Sequence, residues 1–260
     1  MLAFFVLDQS AIGQISNFKV MYLLGNKVIS IQENCYKTCD AKVVFINLHD
    51  NEQTSRLAAD SFLKINDGLL VHIINDSSRN IDFIIDDKKY TIDPNRIFSK
   101  SGRSASLKLL SENYDDVAES YVSYFAQQLV NNYIAGKSII AALHNNSDSN
   151  FSIQAYVHLQ DSLPHSGKAY VNPEMDEDDF IITSSLDIFR KIREKNINVV
   201  WENANIVKDD GSLSFYCSKH KIPYINVEAQ HEHLQQQLLM LNSIKDIINS
   251  YSIKHPKRIK

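Results

Sequence analysis

Two residues able to bind a metal lie where an apolar run of the chain ends. The run Lys42–Leu48 is rich in β-branched residues, and His49 and Glu52 follow it three positions apart. Side chains at positions i and i+3 face the same way when the chain turns into a helix. Because histidine and glutamate are common ligands of divalent metals, this pair is a candidate for half of a metal site.

Two further polar residues lie at the ends of apolar runs. His144 follows Ser138–Leu143, and Glu228 lies near the end of Pro223–Ala229. A lone histidine in such a place is more often a hydrogen-bonded rim residue, and Glu228 could equally begin the next helix. In open α/β sheets, however, ligands bind outside the carboxyl ends of strands. Two imidazoles and one carboxylate are the ligand set of a catalytic zinc with one position left for water.

The elements that must position these residues alternate between strands and helices. Period-2 and buried apolar runs predict strands at Lys42–Leu48, Leu69–Ile74, Ser138–Leu143, Ile197–Trp201 and Pro223–Ala229, and a hairpin with Asp86 and Asp87 at its tip. Helical spacing predicts helices at Glu52–Asn66, Asp115–Ile134, Leu186–Lys195, Leu213–His220 and Glu232–Ser250. This alternation predicts an α/β fold with a mixed, mostly parallel twisted sheet and helices on both faces.

Three local expectations follow from the same pattern. Pro94 disfavours regular structure around it, so Asp93–Ser104 is predicted to be a loop. Gln154–Phe180 has few helix signals, and its length predicts a functional loop or lid. In the helix Asp115–Ile134 the apolar side is expected to contain Val117, Tyr121, Tyr124, Phe125 and Leu129.

Length and composition favour one domain over residues 1–260. The chain is 44% hydrophobic, which suffices for a sizeable core, and no linker-like segment divides it. A net charge of −4 gives no broad basic surface for nucleic acid, and the basic end Lys254–Lys260 is interpreted as a solvated end. No segment approaches the roughly 20 apolar residues of a membrane span. The oligomeric state is not indicated.

The start of the chain and its cysteines leave alternatives open. Leu2–Leu7 is interpreted as a first strand of a cytoplasmic protein, and a shortened signal peptide, with a periplasmic or secreted protein, is the alternative. Cys35 and Cys39 form a CxxxC pair that could be a bridge, a metal pair or two plain thiols, and we favour plain thiols.

Four segments in order resemble the zinc carboxypeptidase superfamily, which includes the aspartoacylase and succinylglutamate desuccinylase deacylases. They are HDNE after a buried strand, DPNRIF, ALHNN, and VEA in a late strand, and together they cover roughly residues 40–230. The resemblance implies a zinc carboxypeptidase-like fold and one Zn²⁺ held by His49, Glu52 and His144. It also implies that Asn95 and Arg96 grip the substrate carboxylate and that Glu228 is the general base.

The chain departs from the family pattern at several positions. HDNE replaces the HGNE that is common in the family, so Asp50 lies beside the metal ligands, either as an acceptor for an imidazole N–H or as a helix-start carboxylate. Arg79 is our candidate for the arginine that stabilises the oxyanion, with a surface arginine as the alternative. Tyr156 and Tyr170 are the candidates for the family's lid tyrosine.

The resemblance therefore implies a zinc metallohydrolase that cleaves an amide bond next to a free carboxylate. Its substrate would be a peptide, a cell-wall peptide stem or an N-acyl amino acid, so that the enzyme would be a metallocarboxypeptidase or, alternatively, a deacylase. A non-catalytic metal-binding recognition module is the alternative from another class. His231 and His233 could form a second metal site, although a polar helix start explains them equally well.

Overall fold

A computed structural model describes residues 14–37, 42–146, 151–163, 167–203 and 205–254. Leu2–Leu7, Cys39 and most of Lys254–Lys260 lie outside these ranges. None of the helices within them is long and apolar enough to cross a membrane.

Cys35 is disulfide-bonded, so its interpretation as a plain thiol is wrong, whereas Cys217 is a buried free thiol.

Strands and helices alternate along the described chain. The strands are β1 (Gln14–Leu24), β2 (Lys27–Tyr36), β3 (Val43–Asn47), β4 (Gly68–Ile74), β5 (Ile81–Ile85), β6 (Lys88–Ile92), β7 (Ile139–Asn146), β8 (Gly167–Tyr170), β9 (Phe180–Thr183), β10 (Val199–Glu202) and β11 (Tyr224–Gln230). The helices are α1 (Gln53–Leu63), α2 (Lys100–Leu110), α3 (Asp116–Leu129), α4 (Gln154–Ser162), α5 (Leu186–Arg193), α6 (Leu213–Lys219) and α7 (Leu234–Lys254). A 3₁₀ turn spans Pro94–Arg96, and α3 continues into a π-helical turn at Val130–Ile134.

The predicted α/β class is confirmed. Nine strands form one mixed sheet in the order β1-β2-β4-β3-β7-β11-β9-β10-β8, and β5 pairs with β6 in a separate hairpin. The four central strands β4, β3, β7 and β11 run parallel to one another. Antiparallel pairings join β2 to β4 and β9 to β11 on either side of this centre.

Helices cover both faces of the sheet because the central strands are apolar on both sides. In β3, Val44 and Ile46 pack into a core with α2, α3, α6 and the hairpin. Val43 and Phe45, one residue out of phase, pack into a second core with α1, α5 and α7. A smaller cluster lies beneath the start of α4.

Three local predictions are wrong in part. Asp93–Ser104 contains the start of α2, which Ser99 caps by accepting a hydrogen bond from the Gly102 N–H at 3.0 Å. Gln154–Phe180 contains α4 and β8. In α3 the predicted apolar residues Phe125 and Leu129 are buried, whereas Val117, Tyr121 and Tyr124 are exposed. The rest of the buried side consists of Ala118, Val122 and Ala126.

Candidate metal and hydrolytic site

Three neighbouring parallel strands bring the predicted site residues together. His49 follows β3, His144 lies in β7, and Glu228 lies in β11. The parallel register pairs Glu228 directly with His144, so their side chains leave the same face of the sheet. His49 and Glu228, which lie 95 and 84 positions from His144 in the sequence, therefore meet at one place.

His49, Glu52 and His144 form a compact buried group that could hold a metal ion. One ligand atom from each lies within 4.8 Å of the other two, and the three side chains are almost completely buried. Nδ1 of His49 is 2.9 Å from Oε1 of Glu52, and Nδ1 of His144 is 2.8 Å from Oε2 of Glu52. The two Nδ1 atoms are 3.2 Å apart. Among the described residues, this is the one group of His, Cys, Asp and Glu with such geometry.

Local backbone structure and a buried amide network hold these ligands in place. The Glu52 N–H donates to the His49 carbonyl at 3.1 Å, which makes the tight turn into α1. Asn145 accepts from the Ser55 N–H at 2.8 Å and donates to Gln237 at 3.1 Å, while Gln237 donates to the His144 carbonyl at 3.0 Å. Because these buried amides need partners, they fix α1, β7 and α7 relative to one another.

Asp93 is a site residue that the sequence interpretation missed. Its Oδ1 lies 2.8 Å from Nε2 of His49, and it also accepts from the Asn95 N–H at 2.7 Å. A carboxylate on Nε2 holds the proton of a neutral imidazole there and leaves the Nδ1 lone pair facing Glu52 and His144. The position of Asp93 in DPNRIF, two residues before Asn95, was the available signal.

The charges around His49 favour a cation at this place. Burial lowers the pKa of His49, but the carboxylates of Glu52 and Asp93 outweigh it and raise that pKa overall. Burial opposes ionisation of Glu52, yet the two imidazoles hold the pKa of its carboxyl far below the ordinary value. Two imidazole nitrogens and a carboxylate that converge on one point are a donor set suited to zinc and similar divalent ions.

Asp93→Asn should weaken metal binding by about 10- to 100-fold, because partners that orient a metal-binding histidine typically contribute that much. The amide can place its NH₂ group toward Nε2 and thereby favour the wrong tautomer of His49. Titration with a competing chelator measures the affinity, and Asp82→Asn in the exposed hairpin is the control. An affinity equal to that of the unmodified protein would contradict the role of Asp93.

Among the described residues Asp50 makes no hydrogen bond to His49 or His144, contrary to one of the two expectations for it. Its Oδ2 accepts from the backbone N–H groups of Asn75 and Ser77 at 2.7 and 2.8 Å. Asp50 thus ties the loop after β4 to the turn that carries His49 and Glu52.

Arg79 follows in this loop, and its guanidinium lies 2.6 Å from Oε1 of Glu52 and 3.7 Å from Oδ2 of Asp93.

Asn95 and Arg96 lie at the rim of the same cavity, in the 3₁₀ turn. Oδ1 of Asn95 accepts from the Leu213 N–H at 3.0 Å, which leaves its amide nitrogen 3.5 Å from Nε2 of His144. Arg96 is half-buried and lies 3.2 Å from Oδ2 of Asp210.

The 3₁₀ turn is fixed by a close approach of two glycines. A Cβ on Gly102 would lie 2.2 Å from the Gly211 Cα, and a Cβ on Gly211 would lie 2.5 Å from the Arg96 carbonyl oxygen. Gly211 also has a φ of +76°, a conformation that glycine adopts at little cost. This contact joins the turn that carries Arg96 to the start of α6.

Glu228 faces the cavity from β11 and is buried. Oε1 of Glu228 accepts a hydrogen bond from the Asn226 amide at 2.8 Å. Burial raises the pKa of Glu228, and the nearby Glu52 carboxylate adds to this, while His144 and Asn226 act in the opposite direction. A buried carboxyl group with a raised pKa beside a candidate metal site is suited to accept and release a proton during a reaction.

These side chains line one cavity of about 570 Å³. Its lining includes the predicted residues Glu52, Arg79, Asn95, Arg96, His144 and Glu228. Tyr156 also lines the cavity, whereas Tyr170 is not part of the lining and its hydroxyl donates a hydrogen bond to Asn196. His231 lies on the wall, and His233 is paired with Asp179 at 3.0 Å.

Comparisons with known proteins give matches only among solved structures. No family model and no curated protein matches the chain. An aspartoacylase family protein from Mesorhizobium loti is 12% identical with a TM-score of 0.46, covering 94% of this chain and 69% of that one. A succinylglutamate desuccinylase from Chromobacterium violaceum is 12% identical with a TM-score of 0.44, covering 88% and 72%. A metallo-carboxypeptidase from Burkholderia cenocepacia is 10% identical with a TM-score of 0.45, covering 90% and 65%.

At 10–12% identity and TM-scores of 0.44–0.46, the likeness does not bear on the reaction of this chain. The functional proposal therefore depends on the geometry of the site.

Proposed function

We propose that this protein is a zinc-dependent hydrolase that cleaves an amide bond next to a free carboxylate. The observation that carries the proposal is the convergence of His49, Glu52 and His144, of which Glu52 and His144 line one cavity together with Glu228. We further propose that residues 1–260 act as one domain and that a single zinc ion is bound.

Glu52 and His144 border the cavity, so a metal ion held by them and His49 would face substrate on that side. A zinc ion held by His49, Glu52 and His144 would supply Lewis acidity, which polarises a carbonyl and acidifies a water. Glu228 accepts the proton of the attacking water as general base and then donates it to the leaving nitrogen. Its raised pKa suits both transfers.

The two arginines of the cavity would bind different negative charges of the substrate. Arg79 contacts the ligand Glu52, and this supports a role for it as donor to the oxygen that becomes negative as the carbonyl is attacked. Arg96 carries a planar fork of donors that can bind a carboxylate with two parallel hydrogen bonds, and the Asn95 amide adds a neutral donor. The substrate is therefore a peptide or an N-acyl amino acid whose free carboxylate lies close to the scissile amide.

The protein should bind about one equivalent of zinc and hydrolyse only substrates with that free carboxylate. The assay uses dipeptides, cell-wall stem peptides and N-acyl amino acids, each compared with the same compound in which the carboxylate is amidated. Loss of a buried charge pair costs about 2–5 kcal/mol, so amidation should lower kcat/KM by at least about 30-fold. A chelator should abolish turnover, and added zinc should restore it.

The pattern of hydrolysis separates the candidate reactions. Cleavage of peptides supports the carboxypeptidase, and cleavage confined to N-acyl amino acids supports the deacylase. Zinc binding without hydrolysis of any substrate would overturn the enzyme proposal in favour of a recognition module.

A further inference from the structure

The strand β1 lies at one edge of the nine-stranded sheet, and β2 is its one strand partner within the described ranges. Residues 19–24 of β1 have the sequence KVMYLL, in which Lys19 is the one charged residue. Proteins that stay monomeric usually protect a long edge with several charges, a proline or a bulge. The register shift of β1 lies near its start, between Gln14 and Ser16. The segment 19–24 is therefore suited to pair with a further strand.

The helix α3 has an exposed apolar side. Val117, Tyr121 and Tyr124 are 52%, 41% and 53% exposed. Their spacing of i, i+4 and i+7 places them within about 60° of one another around the helix. These three residues, the α3 stripe, have the spacing with which one helix contacts another, and they carry no charge.

The α3 stripe faces outward past β1. The ring of Phe125 contacts that of Tyr22 in β1, with centroids 6.0 Å apart, whereas Glu119 pairs with Arg103 of α2 at 2.7 Å. At about 100° per residue, Phe125 lies between Glu119 and the stripe on the side of the helix that faces the sheet. The stripe is thus on the flank of α3 away from α2, beside the outer edge of β1.

The height and position of α3 over the sheet suit a second copy of this chain. After α3, Asn132 donates to the Tyr22 hydroxyl of β1 at 2.9 Å, and Tyr133 donates to Glu33 of β2 at 2.6 Å. The helix therefore lies over both strands. Because strands pair about 4.8 Å apart, a twofold axis beside β1 would pass roughly 5 Å from a helix centred over this pair. Two such helices would be roughly 10 Å apart, close to the spacing of packed helices.

A second copy covers both surfaces at once. An extended peptide would pair with β1 and leave the α3 stripe exposed, and a lone helix would do the reverse. A twofold axis instead brings each surface against its own copy. Residues 19–24 extend roughly 20 Å and the 14 residues of α3 roughly 21 Å, so the two layers would meet over the same length. Lys19 is the one charge in either surface, which keeps repulsion between the copies small.

We propose that β1 and α3 form the interface of a twofold-symmetric dimer. Residues 19–24 of the two copies pair antiparallel, and the two α3 stripes pack against each other above them. The two nine-stranded sheets thereby join into one continuous sheet. This inference does not depend on the proposed hydrolase activity, because the metal and base residues belong to β3, β7 and β11 and the turn after β3.

Sedimentation velocity of the full chain over a range of micromolar concentrations tests the dimer. The unmodified protein should sediment as a dimer. Tyr121→Glu brings two like charges together in the helix contact, so it should raise the dissociation constant by at least about 30-fold. Leu57→Glu is the matched control, since Leu57 on α1 is also 52% exposed, and it should leave the dissociation constant unchanged. Circular dichroism should show that both variants are folded.

Hydrogen exchange tests the strand pairing separately from the helix contact. Outer-edge amides of residues 19–24 should exchange at least about 10-fold more slowly in the dimer than in the Tyr121→Glu monomer. Protection of these amides in a monomeric protein would mean that another segment of the same chain covers the edge, and this would overturn the proposal. A protein that stays monomeric throughout the concentration range, or a dimer that Tyr121→Glu leaves intact, would overturn it as well.

Discussion

His144→Ala should reduce bound zinc from about one equivalent to background and abolish hydrolysis, because it leaves one imidazole and one carboxylate of a three-residue ligand set. Nδ1 of His144 lies 2.8 Å from Glu52 and 3.2 Å from Nδ1 of His49. Among the described residues no other His, Cys, Asp or Glu belongs to this group, so none would replace the lost ligand. Metal content by mass spectrometry and turnover of the best substrate are the two measurements.

His231→Ala is the matched control, since His231 also lies on the cavity wall but outside the metal group. It should retain its zinc, and a loss of zinc in this variant would favour the second metal site over the one proposed. Circular dichroism distinguishes loss of a ligand from loss of the fold. A folded His144→Ala variant with a full equivalent of tightly bound zinc would refute the ligand set.

Glu228→Gln should lower kcat by about 10²- to 10⁴-fold, the typical contribution of a positioned general acid–base, while the protein keeps its zinc. Glutamine has nearly the same shape and can still contact Asn226, so the loss reports the proton transfer. Glu232→Gln, four residues further along the chain, is the control. Full activity of Glu228→Gln would eliminate the proposed base.

The pH profile gives an independent measure of the same group. Glu228 acts as a base only when ionised, so activity should be present above its pKa and lost as the pH falls through it. Because burial and Glu52 raise this pKa, the acid limb should lie at a higher pH than for an ordinary glutamate. An acid limb at the ordinary pKa of a carboxyl group would contradict this assignment.

Local sequence patterns determined much of the secondary structure near the site. Apolar runs predicted β3, β7 and β11, and helical spacing predicted α1, because the period of burial is encoded within a few residues. The ligand spacing of His49 and Glu52 is equally local. The predictions failed at α2 and α4 because a proline and polar residues, which favour loops, lie just before or within these helices. The formation of such helices depends on tertiary packing, which local patterns do not report.

Only the tertiary structure decided which distant residues meet. The order of strands in a sheet depends on pairings between remote segments, so periodicity and spacing alone do not place Glu228 opposite His144. The resemblance of the four segments implied a shared site, but the register that forms it is a property of the folded sheet. The contact of Asp93 with His49 and the docking of Asn95 against Leu213 arise in the same way. The sequence thus determined which chemical groups were available, whereas long-range strand pairing and packing determined which of them share a cavity.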